Sequence, residues 1–179
     1  TLASARGVLP VVEGPGGGTT SATISIEADG VTVDGFEVTN PDGLLGIRIG
    51  VDVDDATVCN NLIRDVGPTG SLGVTGIVVG QGDHRNVSVV GNTIEDLFQT
   101  DDGSFATLNG ILFDADNSSP GTVTDTRVER NVLQNLQSTT APLGIVVQHD
   151  VESMDIADNV VSGLTADNSL GDGSFTTFA

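Results

Sequence analysis

One motif returns along this chain at nearly constant spacing, and that return constrains the fold more than any other feature. It reads Gly46-Ile47-Arg48-Ile49, Gly76-Ile77-Val78-Val79, Gly110-Ile111-Leu112-Phe113 and Gly144-Ile145-Val146-Val147, at intervals of 30, 34 and 34 residues. A second motif lies between these copies: Val58-Cys59-Asn60-Asn61-Leu62-Ile63, Val89-Val90-Gly91-Asn92-Thr93-Ile94, Val128-Glu129-Arg130-Asn131-Val132-Leu133 and Ile156-Ala157-Asp158-Asn159-Val160-Val161. An earlier copy, Val33-Asp34-Gly35-Phe36-Glu37-Val38, carries Phe36 at the position of the second Asn. Repetition at this period is the mark of a solenoid. β-Branched and polar residues alternate on both sides of the Gly/Asn bend, which reads as two short strands joined by a sharp corner.

Each repeat therefore predicts a coil of three strands: one before the bend, one after it ending near Val66, Leu97, Leu136 or Leu164, and the Gly-Ile strand. Such a coil cannot close a core alone. Stacked at roughly 4.8 Å, coils satisfy one another's backbone groups and bury one continuous apolar column. Ile47, Ile77, Ile111 and Ile145 are expected to form one internal stack, and Val33, Val58, Val89, Val128 and Ile156 another. The expected fold is all-β, with about five three-strand coils over residues 21–179. Residues 1–20, Gly-rich around Pro15–Gly18, are read as a loop or an incomplete coil. Asp172-Gly173-Ser174-Phe175 repeats Asp102-Gly103-Ser104-Phe105, which leads into a Gly-Ile strand. The chain is accordingly read as a fragment of a longer protein.

From about residue 22 to 164 the pattern resembles the right-handed parallel β-helices of the pectin lyase-like superfamily. Asn61, Asn92, Asn131 and Asn159 match the asparagine ladder of those folds, in which stacked side-chain amides hydrogen-bond from coil to coil. The resemblance implies two prospects. One is β-elimination on uronic-acid polysaccharides, with an Arg base and carboxylate-bound Ca²⁺ on the outer face of the Gly-Ile sheet. The other is a non-catalytic module, similar to the β-helix repeats in surface glycoproteins of halophilic archaea.

Charge bears on that choice. Six basic residues, all Arg, stand against 25 acidic ones, a formal charge of −19. Self-repulsion of this size opposes a compact state, and multimolar salt removes it by shrinking the Debye length to roughly 3 Å. The composition thus points to a high-salt environment, and the resemblance to those surface-glycoprotein repeats implies an exported or cell-surface protein. It makes nucleic acid a poor partner, because phosphate binding draws on Lys and Arg. Hydrophobic residues make up 37% of the chain, enough for a core. Cys59 is the one cysteine, so no intrachain disulfide is available. No run reaches the roughly 18 apolar residues of a membrane span, and the first residues lack a signal peptide's hydrophobic segment.

Candidate site residues follow from stacking. The outward positions of the Gly-Ile strands are Arg48, Val78, Leu112 and Val146. Arg48 is the catalytic candidate if the protein is a lyase, whereas the apolar row of Val78, Leu112 and Val146 suits a covered face or an interface. Arg64 is expected beside Glu95, Arg127 beside Asp155 and Arg130 beside Asp158, as surface ion pairs, while Arg48 and Arg85 have no evident partner. Asp52, Asp83, Asp116 and Asp150 recur in the turn after the Gly-Ile strand and could hold calcium or another hard cation. Solvated acidic turns are the plainer reading. His84 and His149 sit in the same region and read as exposed turn histidines, without a nucleophile motif or zinc spacing. Asn86 and Asn117 open N-glycosylation sequons. Partners expected are polysaccharide or cell-surface components and adjacent domains of the parent chain.

Overall fold

The protein is described here by a computed structural model, which covers residues 2–3, 9–15, 22–67, 73–100, 107–114, 121–148 and 150–166. Every element among them is a β-strand, and every strand pairing is parallel. One sheet orders Leu2–Ala3, Thr32–Asp34, Thr57–Cys59, Ser88–Val90, Thr126–Glu129 and Met154–Ala157. A second orders Val11–Glu13, Glu37–Asn40, Leu62–Val66, Thr93–Gln99, Val132–Ser138 and Val160–Ala166. The third contains Ala22–Ile26, Leu45–Ile49, Val74–Val79, Thr107–Phe113 and Ala141–Val147. The chain visits these sheets in rotation, so each circuit lays one strand on every sheet.

Register follows the repeat. Ile24, Ile47, Ile77, Ile111 and Ile145 are successive partners, as are Val33, Val58, Val89, Val128 and Ile156. A third column runs Val12, Val38, Ile63, Ile94, Leu133 and Val161. Members in the middle circuits are fully buried and belong to one core cluster. Alternation with period two puts one side of each strand inside, and parallel pairing sets like on like.

The corners explain the short polar residues of the repeat. Asp55, Asn86 and Asp125 form one column of left-handed backbone, Asp65, Asp96 and Asn135 another, and Asn60, Arg130 and Asp158 a third, with φ between 51° and 56°. Asn and Asp tolerate this region better than other non-Gly residues. Gly opening the Gly-Ile strand has a different cause. A Cβ at Gly76 would lie 2.8 Å from the Gly110 carbonyl oxygen and 2.8 Å from Ile94 Cγ2. Close approach of two circuits therefore excludes a side chain there.

Asn61, Asn92 and Asn131 are buried at the next corner, with Asn159 half-buried. The Asn61 backbone N–H donates to Asn92 Oδ1 at 3.0 Å, and Asn92 and Asn131 repeat the contact with Asn131 and Asn159 at 3.0 Å. Each side-chain Nδ2 also donates back to a carbonyl of the preceding circuit, as Asn92 does to Val58 at 2.9 Å. Phe36 stands at the start of this row, its N–H donating to Asn61 Oδ1 at 3.0 Å.

Two features differ from the sequence expectation. A fourth short sheet of His84–Arg85, Thr122–Thr124 and Asp150–Val151 adds a side to the later circuits. Second-sheet strands run on to Gln99, Ser138 and Ala166, because a left-handed residue in mid-strand restores the alternation beyond Leu97, Leu136 and Leu164. Within residues 1–20, Leu2–Ala3 and Val11–Glu13 are strands paired with the following circuit.

Candidate functional site on the outer face of the third sheet

Arg48, Val78, Leu112 and Val146, the predicted outward row, are successive register partners, and Ser25 pairs with Arg48 on its other side. Beside this row lies a groove of about 320 Å³, lined by Arg48, Thr75, Val78, Asn109, Leu112 and Asp114 among others. Val78 is only 7% exposed, and Leu112 and Val146 are half-buried, so the apolar row is largely covered. Asn109 is buried, with Nδ2 3.4 Å from Thr75 Oγ1. The groove offers a small apolar floor with amide, hydroxyl, guanidinium and carboxylate groups around it, a lining suited to a polyol.

Arg48 has a partner, contrary to the sequence reading. Its Nη1 lies 3.4 Å from Glu27 Oε1. Ser25 Oγ donates to the same carboxylate oxygen. Glu27 was missed because the strand just before it, Ala22–Ile26, has Thr23 where the other copies carry Gly. The alternation Ile24-Ser25-Ile26 beside Ile47-Arg48-Ile49 is the signal that would have found it. A uronate carboxylate approaching Arg48 must compete with Glu27.

The recurring acidic turn has a structural use. Asp52 Oδ1 accepts the Asp83 N–H at 2.9 Å, and Asp83 Oδ1 accepts the Thr122 N–H at 2.9 Å. Asp29 does the same for Asp54 at 2.9 Å, and Asp54 for Arg85 at 2.7 Å. Each carboxylate thus satisfies a backbone donor of the next circuit, where the short strands of the fourth sheet leave gaps. Asp150 is exposed in that sheet, and Asp116 lies outside the described residues. Among the described residues no group of three or more His, Cys, Asp or Glu is placed to hold a metal ion.

His84 corrects a second expectation. It is 1% exposed, with Nδ1 2.9 Å from the Val53 carbonyl oxygen and Nε2 2.7 Å from that of Gly80. The side chain points inward because His84 stacks on Val123, itself buried, in the fourth sheet. Both of these ring contacts are to backbone carbonyls. His149 lies outside the described residues.

The remaining arginines pair differently from the predicted stacks. Arg64 is in register with Glu95, but its Nε donates to Glu37 Oε1 at 3.0 Å and its Nη1 meets Asp65 at 2.8 Å. The Glu37 hydrogen bond and charge hold its proton more tightly than in a free guanidinium. Arg130 contacts Glu129 at 2.9 Å instead of Asp158. Arg127 and Asp155 are register partners without an ion pair. Cys59 is half-buried next to Asp34, and burial, the carboxylate charge and a hydrogen bond to it push the thiol up to about 11.

Of the sequons, Asn86 is exposed, but its Nδ2 donates to Asp55 Oδ1 at 2.8 Å and Ser88 is buried within a strand. Asn117 lies outside the described residues. No helix among the described residues is long and apolar enough to cross a membrane. No family model matches this sequence, and no curated protein or solved structure gives a significant match to the chain.

Proposed function

We propose that the chain is a right-handed parallel β-helix of the pectin lyase-like kind, its asparagines forming an internal ladder, and that it serves as a non-catalytic module of an exported or cell-surface protein of an extreme halophile. Rotation through three parallel sheets supports the solenoid, and parallel crossovers are right-handed in about 98% of cases. The module acts as a rigid spacer whose third-sheet groove contacts carbohydrate. The observation that carries this reading is the pairing of Arg48 with Glu27 beside a small mixed groove, since a lyase site needs that guanidinium for the substrate. The charge of −19 and the absence of Lys support the high-salt setting.

The test is a cleavage assay in multimolar NaCl on pectate, alginate and other uronic-acid polymers, with and without Ca²⁺, together with calorimetric titration of neutral and acidic oligosaccharides. The module reading expects no unsaturated products and saccharide binding that weakens in an Asn109→Ala variant. Calcium-dependent products lost in Arg48→Ala would instead assign a polysaccharide lyase, the reading favoured by the exposure of Arg48 at the groove edge.

A further inference from the structure

His84 is the one buried titratable side chain among the described residues, and the third-sheet groove does not include it. Its ring is held at two points. Nδ1 lies 2.9 Å from the Val53 carbonyl oxygen, in the turn of the preceding circuit, and Nε2 lies 2.7 Å from the Gly80 carbonyl oxygen, in its own turn. A carbonyl oxygen only accepts, so each contact is a hydrogen bond only when the ring nitrogen carries a proton. A neutral imidazole carries a single N–H. Whichever tautomer it takes, the other nitrogen turns a bare lone pair on an oxygen no more than 2.9 Å away. Turning the ring over gives no escape, because Cδ2 and Cε1 would then face the two oxygens. Only the imidazolium satisfies both contacts.

The charges around the ring favour the same form. The cleft that His84 lines on the fourth sheet also holds Asp52 and Asp54 from the preceding turn, Asp83 and Arg85 on either side of it in sequence, and Glu152 beyond Thr122 and Thr124. The strand stacked on it, Thr122–Thr124, carries no charge. Carboxylates thus outnumber the single guanidinium, and nearby negative charge stabilises a cationic ring against the desolvation that burial imposes.

We propose that His84 is a proton-operated latch: as the imidazolium it ties the Val53 turn of one circuit to the Gly80 turn of the next, and loss of its proton releases one of the two ties. Because only the protonated ring makes both bonds, the folded chain holds that proton more tightly than the unfolded chain, whose histidine meets water. By linkage, the latch contributes its full stabilisation at a pH where the histidine of the unfolded chain is already protonated. That contribution is lost as pH rises and the folded ring gives up its proton.

The test uses the His149→Gln chain, in which His84 is the only histidine, in 3 M NaCl between pH 5 and pH 9. Nitrogen-15 NMR of the ring should show both nitrogens protonated at pH 5, with the proton held at least tenfold more tightly in the folded chain than in the same chain unfolded in urea. Tenfold corresponds to about 1.4 kcal/mol. Denaturant titration should therefore give an unfolding free energy that falls from pH 5 to pH 9 by at least that amount relative to His84→Gln in the same background. The Gln amide does not titrate, and every other titrating group cancels in the difference. An unprotonated ring nitrogen at pH 5, equal proton affinity in the folded and unfolded chains, or the same pH dependence in both variants would overturn the proposal. If His84→Gln does not fold, the NMR titration decides alone.

Discussion

Replacing Asn92 by Ala isolates what the buried amides contribute. Asn92 is fully buried, its Oδ1 accepts from the Asn61 N–H and Nδ2 at 3.0 Å each, and its Nδ2 donates to the Val58 carbonyl at 2.9 Å and Asn131 Oδ1 at 3.0 Å. The substitution leaves the buried Asn61 N–H without this partner, while the Val58 C=O keeps the ladder N–H of Val90. The side-chain groups keep other bonds: Asn61 Nδ2 still donates to Val33, and Asn131 Oδ1 still accepts the backbone N–H of residue 92. At about 1–3 kcal/mol for an orphaned group, the cost is about 2 kcal/mol. For a chain of this size, that lowers the melting temperature by roughly 4–8 °C. Asn159 makes the same kind of contact at the half-buried end, where water can reach the Asn131 N–H, so Asn159→Ala should cost only about 1 kcal/mol. Denaturant titration of both variants in multimolar NaCl measures the difference. The reasoning fails if Asn92→Ala stays within 1 kcal/mol of the unsubstituted chain, or if Asn159→Ala is equally destabilising.

Gly76→Ala should destabilise by about 1–3 kcal/mol in the same titration, because its Cβ meets the Gly110 carbonyl and Ile94 at 2.8 Å and one circuit must shift. A thiol raised to about 11 is roughly 0.1% ionised at pH 8, so Cys59 should alkylate about 100-fold more slowly than a thiol at the ordinary 9.0. Asp34→Asn should recover part of that rate, burial accounting for the rest, and an unchanged rate would remove the carboxylate from the explanation. Arg130, at φ 53° in a column of Asn and Asp, carries strain. Arg130→Asn should stabilise by up to about 1 kcal/mol despite losing the exposed Glu129 contact, while Arg130→Val should cost about 1–2 kcal/mol, both read from melting curves.

The repeat alone determined the strands, their parallel register and the apolar columns. Ile47, Ile77, Ile111 and Ile145 could be aligned by eye because side chains alternate with period two and parallel stacking puts equivalent residues side by side. The buried row of Asn61, Asn92, Asn131 and Asn159 was legible for the same reason. Tertiary structure decided what lies across those columns and at their corners. Arg64 turned to Glu37 instead of Glu95 and Arg48 found Glu27, since register brings two neighbouring circuits equally near and only side-chain reach selects between them. His84 went inward because a fourth sheet, too short to show a period, stacked it on Val123. The acidic turns became backbone acceptors because gaps between those short strands left donors unpaired. Periodicity reports how a strand meets its equivalents in the next circuit, whereas the groove beside Arg48 is assembled from different positions along several circuits, and no repeat in the sequence encodes that meeting.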